Sequence, residues 1–112
     1  MRRARVSYRP DALADLENIY RFVADGSQNH SVAAGFVTRI MARCRLIGDV
    51  PLGGRLRADL APGLRTVPFE RSVVIAYVVR EDVEITNVFY GGRDYEALYH
   101  DQREDDEDGA ID

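Results

Sequence analysis

"LRTVPFERSVVIAYVVREDVEITNVFYGGRDYEAL", residues 64–98, decides the fold. Three runs within it, 64–69, 72–79 and 83–90, are rich in valine, isoleucine, threonine and aromatic residues, which suit a pleated, half-buried surface. The breaks at 70–71 and 80–82 are too short for a helical crossover, so the three runs predict an antiparallel β-meander. "SVVIAYVV" (72–79) is apolar on both faces, which predicts a central strand covered from each side. Pro68 has no N–H to give to a ladder, which puts the first run at an edge or at a bulge. The last run ends in Gly91 and Gly92 and is followed by Arg93, Asp94 and Tyr95. The glycines predict a turn; what the arginine does is a separate question.

Upstream, "ARVSY" (4–8) is short and alternating, and reads as a strand. Pro10 fits the first position of a helix, with Asp11 and Asp15 near its positive end. Leu13, Leu16, Ile19, Tyr20 and Val23 recur at spacings of three and four and form one apolar stripe. Gly26 predicts its stop. Asn29 or Ser31 caps a second helix, with a stripe of Ala33, Phe36, Val37, Ile40, Cys44 and Ile47 closed by Gly48 and Pro51. Two amphipathic helices on a short link predict an antiparallel hairpin lying across one face of the sheet. Residues 50–63, dense in glycine and proline, read as loop. The fold class expected is therefore α+β: a short N-terminal strand and a helix hairpin packed on an antiparallel meander.

The chain has 112 residues and a formal net charge of −4. Residues 101–112, "DQREDDEDGAID", hold seven acids and one arginine, leaving fourteen arginines and twelve acids in the first hundred residues. The expectation is one mildly basic domain over residues 1–100 and an acidic, disordered tail over 101–112. All fifteen basic residues are arginine, so no lysine can act as a general base or a point-charge phosphate ligand. Cys44 is the single cysteine, which excludes an internal disulfide and suits a reducing cytoplasm. His30 and His100 share no ligand spacing, so neither a metal site nor a cofactor is expected. No run of about 18 apolar residues exists to span a membrane, and the basic N-terminus lacks the apolar stretch of a secretory signal.

The order of elements, with "DALADLENIYRFVA" in the first helix, "PLGGRLR" in the loop, "GLRTVPFERSVVIAYVV" through the hairpin and "EITNVFYGGRDYEAL" at the end, resembles the RelE/ParE toxin superfamily over residues 4–99, and the last two fragments resemble ParE most. The resemblance implies a toxin of a type II toxin–antitoxin pair. ParE-like toxins inhibit DNA gyrase, block replication and are neutralised in a hetero-oligomer with a ParD-like antitoxin. RelE-like relatives instead cleave mRNA on the ribosome, and a non-toxic binding module on the same fold is a third reading.

Metal-free RNA cleavage needs a proton acceptor for the 2′-hydroxyl, a cation at the phosphate and an acid for the leaving oxygen. Arg65, Arg93, Tyr99 and His100 are the residues that could supply these roles, with Arg71 beside them. The thin basic balance and the acidic run directly after His100 weigh against such a site and against sequence-specific nucleic-acid binding. Under the gyrase reading no residue is catalytic. Arg93, with Tyr90 and Tyr95, is then the candidate target-binding group, because a planar cation beside aromatics is enriched at interface hot spots. Tyr77, Tyr90 and Tyr95 also suit the core, and Cys44 reads as an inert core filler.

Overall fold

The computed structural model describes residues 3–92 and 94–100. In chain order it contains β1 (Val6–Tyr8), α1 (Pro10–Ser27), α2 (His30–Ile47), β2 (Arg55–Leu56), β3 (Arg65–Phe69), β4 (Val73–Val79) and β5 (Val83–Tyr90); residues 95–100 are also helical. The five strands make one sheet in the order β1-β5-β4-β3-β2. The meander β3–β4–β5 is antiparallel as expected, and β4 is central. Pro68 lies where β3 has no outer neighbour, because β2 pairs only with Arg65 and Thr66.

Two strand pairings were not expected. β1 runs parallel to β5, with Val6 opposite Val83 and Tyr8 opposite Ile85. The helix hairpin is the crossover that a parallel pair requires. The loop expected at 50–63 contains the two-residue strand β2, too short to carry a pattern.

The first helix does not stop at Gly26. It continues to Ser27, and the left-handed residue that ends it is Gln28, with φ of 55°. The Gln28 side-chain amide donates to the Asp25 carbonyl at 2.6 Å. Asn29 then caps α2, its side-chain oxygen accepting from the Ser31 and Val32 N–H groups at 2.9 and 3.2 Å. The α2 stripe is buried at Ala33, Phe36, Ile40, Cys44 and Ile47. In α1 the buried face is Ala12, Leu16, Ile19 and Ala24, whereas Leu13 is 52% exposed.

Alternation in the strands gives the sheet two different faces. Val67, Val73, Ile75, Tyr77, Val83, Ile85 and Val88 meet the helices. Ala76 and Phe89 face the other way, where Leu60 and Leu64 from the loop and Tyr95 and Tyr99 from the final helical segment cover them. A fully buried valine or isoleucine contributes about 1.5–3 kcal/mol, so both covers matter to the apolar central strand. The covering loop is closed by the Arg57 N–H donating to the Leu64 carbonyl at 2.7 Å.

Candidate functional site

The end of β5 turns through Gly91 and Gly92, with φ of 83° and 69°, a region that side chains oppose. The Gly91 N–H donates to the Ser72 carbonyl at 2.9 Å, which ties this corner to the β3–β4 turn. Arg93, the arginine singled out from the sequence, lies outside the described residues. The two tyrosines named with it pack on opposite faces of the sheet. Tyr90 takes edge-on contacts from Phe22 and Phe36, at 5.7 and 5.5 Å between centroids, on the helix side. Tyr95 stacks on Phe89 at 5.1 Å on the other side. They meet only at the rim, where both line a cleft of about 40 Å³ with Arg71, Ser72, Val74 and Gly92.

Of the residues in the nuclease reading, Arg65 and Tyr99 do not converge, and Arg93 lies outside the described residues. Arg65 pairs in register with Tyr77, so its side chain leaves the sheet on the helix face. Its guanidinium donates to the carbonyls of Gly54 and Leu52 at 2.9 and 3.2 Å, which holds the 51–54 loop. Tyr99 lies on the opposite face against Phe89. Its hydroxyl is buried without a hydrogen bond of ordinary geometry. Burial pushes this phenol up, an effect that the neighbouring Thr86 hydroxyl opposes. His100 is exposed at the end of the described residues. The sheet thus separates Arg65 from Tyr99.

Several side chains act where sequence reading gave them no part. Asp15 does more than face a helix end: its Oδ2 accepts from the Val88 N–H at 2.9 Å and from Asn87 Nδ2 at 3.2 Å. β1 pairs with β5 only as far as Ile85, so Asp15 satisfies an edge amide that no strand reaches. Beside it runs an apolar groove of about 360 Å³ between α1 and β5, lined by Ile19, Phe22, Val88 and Tyr90. Phe22 is 66% exposed there.

Arg57 is buried and joins the second cover to itself. Its guanidinium donates to both carboxylate oxygens of Asp59, at 2.8 and 3.0 Å, and lies 3.1 Å from Glu96. Those hydrogen bonds, Asp59 first, raise the Arg57 pKa and lower that of Asp59. Tyr77, fully buried, accepts at its hydroxyl from the Gly54 N–H at 2.9 Å and donates to the Pro51 carbonyl at 2.8 Å. Among the described residues, no group of three or more histidine, cysteine or acidic side chains could hold a metal ion. No helix of the described residues is long and apolar enough to cross a membrane.

A family model for the ParE toxin of the type II toxin–antitoxin system parDE matches residues 6–95. A chain of the chromosomal ParDE TA system from P. aeruginosa superposes with a TM-score of 0.68 at 22% sequence identity. The alignment covers 78% of this chain and 95% of that one. That likeness is one of fold. A search of curated proteins found no match.

Proposed function

The chain belongs to the ParE toxins of type II toxin–antitoxin systems, and from that premise we propose that it inhibits DNA gyrase, blocks replication and is held inactive in the cytoplasm by a ParD-like antitoxin. The observation that carries the choice of gyrase over RNA is the separation of Arg65 from Tyr99 by the sheet. A nuclease must bring its phosphate ligand and its proton-transfer group to one scissile bond. A binding toxin has no such requirement and needs only a fixed surface.

In this reading the work is done by occupancy and no residue is catalytic. Tyr90 and Tyr95 at the rim cleft, with Arg93, are the groups that meet the target. The groove between α1 and β5 supports an antitoxin contact, since an exposed phenylalanine beside an apolar slot suits a partner helix or strand. The complex is then a hetero-oligomer, and the free toxin self-associates or is poorly soluble until the antitoxin covers it.

The test is gyrase supercoiling with the purified protein titrated in and its antitoxin added back. Inhibition that the antitoxin reverses supports the proposal, and Arg93→Ala should abolish it in protein that still folds and binds antitoxin. Folded protein that arrests growth but leaves gyrase untouched refutes it and turns attention to ribosome-bound mRNA, with Arg65, Tyr99 and His100 as the first substitutions.

A further inference from the structure

The β3–β4 turn contains a pair of residues that the fold does not need in that form. Glu70 and Arg71 both have positive φ, 47° and 64°, and neither is glycine. Non-glycine residues resist this region because Cβ crowds the backbone, and asparagine or glycine would occupy it at lower cost. Such strain persists where something else is gained.

For Glu70 the gain is internal. Its carboxylate oxygens accept from Arg39 Nε and Nη2 at 3.0 and 3.2 Å, tying the turn to α2. For Arg71 there is no internal gain: its guanidinium has no hydrogen bond, ion pair or ring contact among the described residues. The adjacent acid, Glu70, is already engaged by Arg39. Arg71 is exposed, and it lines the rim cleft with Tyr90, Tyr95 and Gly92. The bond from Gly91 to Ser72 fixes that cleft against the turn.

We propose that Arg71 is a target-contacting residue, and that the strained turn presents its guanidinium at the rim of the Tyr90–Tyr95 cleft to receive a carboxylate on an acidic segment of the target protein. An exposed arginine lining a cleft with two tyrosines matches the composition of a protein–protein hot spot. A nucleic-acid backbone would call for several cations in a row, whereas among the described residues Arg71 is the cation lining the cleft and the residue before it is an acid. A carboxylate is also the group that a planar fork receives through two parallel hydrogen bonds. The inference rests on the target being a protein, gyrase in the reading above.

Two properties of one variant test it. In Arg71→Gly the positive φ is no longer opposed by a side chain, so the melting temperature should rise by about 4–8 °C. The same variant should lose about thirtyfold or more in affinity for gyrase, and its growth arrest should weaken accordingly. Arg71→Lys keeps the charge and the strain but not the fork. It should melt like wild type and still bind about tenfold more weakly. Arg71→Gly protein that binds and arrests as wild type overturns the inference, as does Arg71→Lys at full affinity. If wild type arrests growth without touching gyrase, the gyrase reading fails alone, and growth arrest becomes the readout for Arg71. Ribosome-bound RNA captured by wild type and lost in Arg71→Gly would replace the carboxylate by a phosphate and overturn the proposal.

Discussion

Replacing Tyr77 by phenylalanine removes one oxygen atom from a fully buried side chain and should cost far more than its size suggests. The hydroxyl accepts from the Gly54 N–H at 2.9 Å and donates to the Pro51 carbonyl at 2.8 Å, so it fastens the 51–54 loop to the central strand. Gly54 is itself buried, and its amide has no other acceptor among the described residues. A buried donor left unsatisfied costs about 1–3 kcal/mol, and the second lost bond about 0.5–1.5 kcal/mol. Settling of the loop and entry of water relieve part of this, so the expected loss is about 1.5–4 kcal/mol. Against a typical total of about 5–15 kcal/mol, that is a large fraction. It corresponds to a fall in melting temperature of about 10–20 °C. Urea denaturation followed by circular dichroism should show a lower midpoint with an unchanged slope. A loss below about 0.5 kcal/mol would refute the assignment of these bonds. Gly54→Ala supplies an internal control, because a Cβ there would overlap the Tyr77 hydroxyl. Its cost should shrink when Tyr77 is already phenylalanine, as coupled neighbours require.

Three other outcomes follow from buried or paired groups. Burial pushes the Cys44 thiol up to about 11, so the native protein should resist iodoacetamide at pH 8 and react only on unfolding; rapid native labelling would contradict this. Because the fold favours the neutral thiol, that contribution is complete below about 9 and is lost as pH rises toward 11. Arg39 holds Glu70 below the usual carboxylate range, and Arg57 does the same for Asp59. The folded state therefore binds fewer protons, and this stability is present above about pH 4.5 and lost as pH falls. Arg39→Gln should flatten the acid limb of a melting-temperature profile, and an unchanged limb would count against the pair. Asp15→Ala should cost about 1–2 kcal/mol and speed hydrogen exchange at Val88, whose amide it leaves at an open edge; unchanged exchange at Val88 would refute the cap.

The meander was legible because β-branched runs separated by two or three residues leave few alternatives, and the apolar central run required cover on both faces. The identity of the second cover was not legible. Leu60, Leu64, Tyr95 and Tyr99 come from loop and chain end, where no period marks a buried side. Gly26 misled because a glycine near a helix end usually takes the left-handed position; here the turn residue is Gln28, two further on. The separation of Arg65 from Tyr99 was half legible. Arg65 shares strand parity with Val67 and Phe69, so an apolar helix face at 67 and 69 already assigned it a side. Asp15 and Tyr77 could not be found, because their partners are backbone groups whose need arises only once the strands are paired.

The distribution of strain bears on how toxicity should be mapped. Of the six described residues with positive φ, Glu70, Arg71, Gly91 and Gly92 lie at the rim where the β3–β4 turn meets the end of β5. Elsewhere the irregular segments are fastened by buried or half-buried polar side chains: Tyr77 and Arg65 hold the 51–54 loop, and Arg57 holds the second cover. Substitution at any of those anchors lowers the folded fraction, and a few kcal/mol changes abundance several-fold. A screen scored on lost toxicity would therefore return Tyr77, Arg57 and Arg65 first and would misread anchors as contacts. A contact residue held in an unfavourable backbone conformation moves the two observables in opposite directions. Its replacement by glycine weakens binding while it raises the melting temperature, a combination that no anchor can produce.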